Sequence, residues 1–455
     1  MKQDLGSEAD SFLGSFLHEA KRGIRLNPEK YTGSADAILP ESERVPWENN
    51  GYYYKGTTEF MPGRSPLHHA GAYYIQEPSA MAPVNFLDVR PGMCVLDLCA
   101  APGGKSTQIA AFLKNKGLLI TNEIVPDRAK ILSQNIERLG IKNTLVTCHD
   151  PAFLSDRYPA SFDRILVDAP CSGEGMFRRD PVAVKEWSVE NVKRCVIRQE
   201  EILKAAAVML KPGGRLVYST CTFGKEENEE QIANFLKSHE DFHPVDIRPF
   251  TGMREGGMKG TLRIWPQDNC GEGHFMAVLL RNGELNEASY GYRGVTEPCI
   301  SGKSLQGITV FRDFISEVIK DGDMKRRLSD NKNLFASGKN LCLIPEGGLP
   351  SLSRLRYLRA GTQLGEIKKD RFIPSHSLAM AISPGEVYIC HELDPGGDEV
   401  KQYLAGESLD ISNTRESQRK GWCLVTTGGI SLGWGKISGG IMKNHYPKGL
   451  RSFRT

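Results

Sequence analysis

Between residues 94 and 281 the chain repeats one pattern: a short, almost wholly apolar run, a polar turn, then a segment whose apolar residues return every three or four positions. Apolar runs bounded by turn residues predict strands buried on both faces, and the segments between them predict the helices covering a parallel sheet. Strands are read at 94–98, 117–123, 144–148, 162–169 and 214–220. A helix over 126–139 has proline in its first turn and Gly140 just past its end, and 196–210 is the crossover helix into the fifth strand. Upstream, Phe12, Leu13, Phe16, Leu17 and Ala20 fall at helical spacing, so an amphipathic helix is expected over 8–23. A loop-rich stretch follows with Pro28, Pro40, Pro46, Trp47, Tyr52, Tyr53 and Tyr54, then His68, His69, Tyr73, Tyr74 and Gln76. It reads either as a lid packed on the next domain or as rings for base stacking.

Past residue 281 a polar, glycine-containing linker (282–302) leads to shorter elements. A helix is expected over 308–320, apolar runs lie at 341–344 and 352–358, and a mixed segment at 365–379 follows. The last module opens near Glu386, and its runs at 421–426 and 432–437, separated by glycine turns, predict a small barrel. Four segments result: 1–90, 91–282, 303–380 and 385–455.

Composition adds limits more than direction. With 40% hydrophobic and 25% charged residues over 455 positions, the chain is an ordinary globular protein of several domains. Its formal charge of +3 permits a nucleic-acid partner without arguing for one. No apolar run approaches the roughly 18 residues of a membrane span. The start Met1-Lys-Gln-Asp-Leu5 lacks the order of a signal peptide, so a cytoplasmic protein with no membrane contact is expected. Eleven cysteines, an odd number without C-x-x-C spacing, suggest neither a disulfide framework nor a metal site. Nothing in the chain demands more than a monomer.

Open α/β sheets bind ligands beyond the carboxyl ends of their strands, and Cys99, Glu123, Asp150, Asp168, Cys171 and Cys221 all fall at or just past such ends. The turn Cys99-Ala100-Ala101-Pro102-Gly103-Gly104-Lys105 leads from the first strand into a helix; small residues admit a ligand to the backbone, and the free N–H groups favour polar atoms. A P-loop would require glycine where Cys99 stands, and G-x-G-x-x-G is absent, so phosphate and pyrophosphate ligands are disfavoured. Glu123 stands about 19 residues past Gly104, where such folds put the carboxylate that bonds ribose hydroxyls. An adenosyl ligand without phosphates, S-adenosyl-L-methionine, fits this set.

Two thiols at adjacent strand ends, Cys171 in Asp168-Ala-Pro-Cys-Ser-Gly-Glu-Gly175 and Cys221 in Ser219-Thr-Cys-Thr222, suit methylation at carbon 5 of a cytosine. That carbon is too electron-poor to attack unaided. A thiolate adding to carbon 6 makes the ring an enamine, and after methylation a base removes the carbon 5 proton and sulfur leaves. Spacing alone does not rank the two thiols.

Leu96-Asp-Leu-Cys-Ala-Ala-Pro-Gly-Gly-Lys-Ser106, Asp168–Gly175 and Tyr218-Ser-Thr-Cys-Thr222 together resemble, in order, the motifs of the RNA 5-methylcytosine methyltransferases of the RsmB/RsmF (Nop/Sun) family. Arg263-Ile-Trp-Pro266 and Gly271-Glu-Gly-His-Phe275 look like that family's closing segment, with the last strand running antiparallel. The resemblance implies an α/β, Rossmann-like methyltransferase domain with a seven-stranded sheet, an N-terminal helical extension, and C-terminal α+β and PUA-like barrel domains. It implies Cys221 as nucleophile and Cys171 in product release. It implies cofactor contacts from Cys99, Ala100, Ala101, Pro102, Gly103, Gly104 and Lys105, with Glu123 at the ribose and Asp150 near the adenine. Asp168 would face the methionine end or the base, and Lys105 either cofactor or base. Arg128 matches the arginine opening the family's helix after the second strand, with a solvated helical arginine as the alternative; His274 is either a base or a residue that orients its loop. The ends point to the RsmF branch, hence to 16S rRNA or the small ribosomal subunit as partner, and the basic segment 443–451, with Tyr446, suits RNA. The alternatives are a tRNA cytosine-C5 methyltransferase and a non-catalytic RNA-binding ribosome assembly factor.

Overall fold

The computed structural model describes residues 5–39, 41–55, 61–268, 270–294, 296–300, 307–369 and 371–451; Pro40 and the end of the 282–302 linker lie outside them. The central sheet has five parallel strands, β1 (Cys94–Asp97), β2 (Leu118–Asn122), β3 (Thr144–Thr147), β4 (Phe162–Asp168) and β5 (Leu210–Thr220). Two antiparallel strands, β6 (Thr261–Ile264) and β7 (His274–Arg281), complete the order β3-β2-β1-β4-β5-β7-β6. Alternate residues supply the two faces, as a doubly covered sheet demands. Leu96, Ile120, Leu145, Ile165 and Leu216 pack on one side with Ile202 and Ala206 of the helix Val189–Met209. Val95, Leu119, Leu166 and Val217 pack on the other with Ile109 of the helix Gly104–Leu113 and with Met81.

The sheet carries ten strands rather than the expected seven. Phe242–Pro244 and Arg254–Glu255 are too short to show a period. The third addition, Tyr357–Ala360, comes from the C-terminal part and pairs antiparallel with β3, through Arg359↔Val146 and Ala360↔Leu145. It covers an edge whose N–H and C=O groups would otherwise be open to other chains.

The N-terminal helix is shorter than its periodicity suggests. It spans Ala9–Ser15 only, Leu17 is 89% exposed, and Arg22–Leu26 is a strand. Gly14 and Ser15 are weak helix formers at its end, while the backbone of 22–26 gains ladder bonds in a four-stranded antiparallel sheet with Glu43–Arg44, Gly51–Tyr54 and Tyr73–Ile75. Tyr73 and Tyr74 are buried, so packing, not stacking on bases, accounts for them. This sheet is locked onto the helix Gly104–Leu113 by the buried Arg25, which donates to Gly104 O (3.0 Å) and Thr107 Oγ1 (2.6 Å) and to Gln76 Oε1 (3.1 Å).

Downstream, the helices Ile308–Val318 and Gly322–Ser329 pack with a four-stranded sheet, Leu334–Ser337, Asn340–Leu343, Thr362–Lys368 and Arg371–Pro374. The last module is a five-stranded mixed sheet in the order Cys390–Leu393, Gly421–Thr427, Ile430–Ser438, Ile441–Asn444, Leu409–Asp410. Val400, Tyr403 and Leu432 of this module form one core with Ile24, Ala70 and Tyr73, so the two ends of the chain pack together. Tyr446 belongs to that core and is not available to RNA; in its segment Lys443, His445 and Lys448 remain exposed. No helix among the described residues is long and apolar enough to cross a membrane.

Candidate active site

One end of the site is built from three strand-end loops. After β1 the chain turns at Gly103, whose φ of +114° disfavours any side chain, and enters the helix Gly104–Leu113. Asp97 is fully buried and accepts from Ser106 Oγ (2.6 Å); burial pushes its carboxyl up to about 7, and its Oδ1 has no partner among the described residues. Asn122, which the sequence did not single out, ties the loops together. Its amide donates to Leu98 O (3.3 Å) and His149 O (2.9 Å), and its oxygen accepts from Thr147 Oγ1 (2.9 Å) and the His149 N–H (3.0 Å).

Glu123 is buried at the end of β2; Oε1 accepts the Val125 N–H (2.9 Å) and Oε2 lies 3.4 Å from Arg128. Arg128 also donates to Ala101 O (2.9 Å), so it clamps the Cys99–Lys105 turn to Glu123 rather than standing free in solvent. Asp150 caps the helix Pro151–Arg157 through the Ala152 N–H (2.8 Å) and stays exposed. Ile124 and Phe153, half-exposed apolar neighbours of Glu123 and Asp150, were also not foreseen; Phe153 stacks on His149 at 4.1 Å. The C-terminal part reaches this end too, since the Arg356 N–H donates to His149 Nε2 (2.6 Å).

At the other end Asp168 accepts from Lys105 Nζ (2.8 Å) and Ser219 Oγ (2.8 Å), and His274 Nε2 lies 3.6 Å away. Burial pushes the Asp168 carboxyl up, but Lys105 and His274 outweigh it and hold the group well below the usual carboxylate range. His274, buried and beside the Lys105 charge, is pushed down and stays neutral near pH 7.

Cys171 and Cys221 meet with their sulfurs 3.4 Å apart, both partly buried. Their hydrogen bond, together with burial and the neighbouring Glu227, drives the Cys171 thiol well up, so Cys171 holds its proton beside the Cys221 sulfur. Cys99 is likewise driven up by burial and by Asp97 and Glu123. The two cysteine loops are zipped together. The Gly175 N–H donates to Cys221 O (2.8 Å), and a Cβ at Gly175 would lie 2.8 Å from that same oxygen. Glu174 Oε2 accepts from Thr222 Oγ1 and the Phe223 N–H, both at 2.9 Å. Glu227 accepts from Ser172 Oγ (2.5 Å), the Ser172 N–H (3.0 Å) and Gln199 Nε2 (2.8 Å), while Asn228 holds Thr220 Oγ1 (2.6 Å) and Thr222 O (3.0 Å). Glu227 and Asn228 are fully buried, although Lys225-Glu-Glu-Asn-Glu-Glu230 reads as a solvated helix start.

Residues 84–280 match the family model of the 16S rRNA methyltransferase RsmB/F, and 1–78 match the N-terminal domain of 16S rRNA methyltransferase RsmF. Residues 314–382 match the RsmF rRNA methyltransferase first C-terminal domain and 390–452 the methyltransferase RsmF PUA domain. The ribosomal RNA small subunit methyltransferase F of Vibrio vulnificus (strain YJ016) is 31% identical over 97% of this chain and 93% of its own length. That of Shewanella loihica is 32% identical, over 97% and 91%. Among solved structures, a methyltransferase homolog protein from Pyrococcus horikoshii superposes with a TM-score of 0.53 at 27% identity, covering 61% of this chain and 91% of that one. The same organism's NSun6, solved with SFG, shares the fold at a TM-score of 0.55 and 22% identity, over 62% and 97%.

Proposed function

Because the chain belongs to the 16S rRNA methyltransferase RsmB/F family and is an S-adenosylmethionine-dependent rRNA methyltransferase, we propose that it methylates carbon 5 of a cytosine in 16S rRNA through a cysteine adduct at carbon 6. The observation that carries this reading is the pair of sulfurs 3.4 Å apart, fixed by the two strand-end loops. We read 1–90, 91–282, 303–380 and 385–455 as its domains, a division supported by the separate four-, four- and five-stranded sheets of the first, third and fourth, although Tyr357–Ala360 of the third adds a strand to the central sheet.

The residues present fit the cofactor. The Glu123 carboxylate, with oxygens satisfied by one N–H and one guanidinium, suits a ribose diol. Ile124 and Phe153 offer apolar surface to a purine beside Asp150, and Asp97 Oδ1 is a buried acceptor in want of a donor. The turn 99–105 with Arg128 shapes the space between. When bound, S-adenosylmethionine supplies an electrophilic methyl group.

Cys221 Sγ attacks carbon 6 of the target cytosine, and its electron pair makes carbon 5 nucleophilic. Lys105 and Asp168, joined at 2.8 Å, form a fixed charged pair where the ring must lie and orient its polar edge. His274 stands buried behind Asp168, its Nε2 3.6 Å from the carboxylate. After a base takes the carbon 5 proton, the carbon–sulfur bond breaks and the electrons restore the ring. The protonated Cys171 then donates to the departing Cys221 thiolate and eases its release.

The reading is tested with 16S rRNA carrying tritium at cytosine carbon 5. Release of tritium dependent on S-adenosylmethionine is expected, whereas a pure RNA-binding factor releases none; bisulfite sequencing then separates rRNA from tRNA targets. A further expected result concerns the cofactor end. Glu123→Ala should weaken S-adenosylmethionine binding by roughly 10- to 100-fold, the worth of a hydrogen bond to a charged group. Calorimetric titration checks this; an unchanged affinity would take Glu123 out of the cofactor site.

A further inference from the structure

Beyond the Cys171 loop, the segment leaving the active site keeps its apolar side chains in water. Val182, Val184, Trp187 and Val189 are 53, 50, 39 and 63% exposed, four apolar residues within eight positions. The segment is not loose. Asp180 Oδ1 caps the helix Pro181–Glu186 at the Val182 N–H (2.9 Å), and Ser188 Oγ caps Val189–Met209 at the Asn191 N–H (3.1 Å). Arg178 upstream is held by Glu272. An exposed apolar patch on an anchored segment marks a contact surface; exposed Lys185, Lys193, Arg194 and Arg198 are interspersed with the exposed acids Asp180, Glu186 and Glu190 around it, so the apolar side chains and not charge single this surface out.

Trp187 is singled out by where its polar atom goes. Its Nε1–H donates to Glu174 Oε1 (3.1 Å), while the other oxygen of that carboxylate receives Thr222 Oγ1–H and the Phe223 N–H. The Gly175 N–H holds the carbonyl of Cys221 itself. A surface indole satisfied by water would need no such bond. Here it closes a chain of contacts from solvent to the loop that directly follows the Cys221 sulfur.

We propose that Trp187 is a substrate-contacting and positioning residue: a base flanking the target cytosine stacks on its exposed indole, and the indole N–H, acting through Glu174, aligns the Cys221 loop. The inference rests on the RNA methylation reading and adds to it the subsite for the neighbouring nucleotide. Base stacking on an aromatic ring tolerates sequence, so it supplies affinity, while the N–H supplies alignment.

The two contributions separate in the full-length protein by comparing Trp187→Phe with Trp187→Ala on a short cytosine-containing RNA. The Ala variant should raise the KM for RNA about ten-fold or more and lower kcat. The Phe variant, which keeps a ring but loses the N–H, should hold KM within about two-fold of wild type while kcat falls several-fold. Affinity for S-adenosylmethionine should be unchanged in both. A 2-aminopurine beside the target cytosine should be quenched on binding to wild type and to the Phe variant, but not to the Ala variant. Unchanged KM and kcat in the Ala variant would assign the patch to a protein partner and overturn the proposal. So would equal losses of kcat in both variants with KM unmoved, because the ring would then touch no base. Wild-type protein that quenches the probe yet releases no tritium would sink the methylation reading and leave the stacking contact standing.

Discussion

Cys221→Ala is expected to lower methylation by about ten-thousand-fold or more while binding of S-adenosylmethionine and RNA stays near normal. Only a sulfur is lost. The backbone that places it survives, because the Gly175 N–H bonds to the Cys221 carbonyl and Glu174 holds Thr222 and Phe223. Cys171→Ala should fail later in the cycle. The nucleophile still adds to carbon 6, but the departing sulfur has lost the thiol that lies 3.4 Å away, so methylated RNA should stay attached to the protein and survive denaturing gel electrophoresis. The double variant should show no adduct. An adduct appearing only when Cys221 is replaced would exchange the two roles. Full methylation in both single variants would return both cysteines to packing.

The convergence of the two thiols was legible from their places at strand ends, while the division of their roles came only from the family resemblance, because spacing does not rank them. The strands of the catalytic sheet are apolar on both faces, so Asp168, Cys171 and Cys221 could be placed at strand ends from local pattern alone. What raises Cys171 is its contact with Cys221 and with Glu227, residues about fifty positions away along the chain. The same non-locality hid Asn122, whose amide serves three loops, and Tyr357–Ala360, whose partner strand lies in another part of the chain. Glu227 and Asn228 stand in a charged run and were not singled out; what buries them is the set of partners Ser172, Gln199 and Thr220, all outside that run. At the N-terminus the helical spacing of Phe12 and Phe16 was real, but it covers one short helix packed on Phe223 and Trp265. Beyond it, strand pairing of Arg22–Leu26 overrode the pattern.

Glu272→Ala should be among the most destabilising single changes near the site. The Glu272 side chain is 2% exposed and sits between Arg178 Nε (2.6 Å) and Arg179 Nε (3.2 Å). Arg178 is itself buried and also donates to Ser15 O (2.9 Å) and Gly271 O (3.3 Å), while Arg179 reaches Lys21 O. The carboxylate thus joins the segment after the Cys171 loop, the strand-end turn before β7 and the N-terminal module. Removing it leaves the Arg178 guanidinium in a low-dielectric site without its counter-charge, a change that typically costs about 3–5 kcal/mol, well beyond the value of a surface pair. Glu272→Gln keeps one acceptor oxygen and should lose less. In urea titrations the Ala variant should show the lower midpoint, with the slope unchanged if the unfolding reaction is the same. Exchanging both partners for apolar residues, Arg178→Met with Glu272→Met, should recover part of the loss, because the buried charge then disappears with its partner. If Glu272→Ala moves stability by less than about 1 kcal/mol, water has replaced the carboxylate, and the junction is held by the backbone acceptors of Arg178 instead.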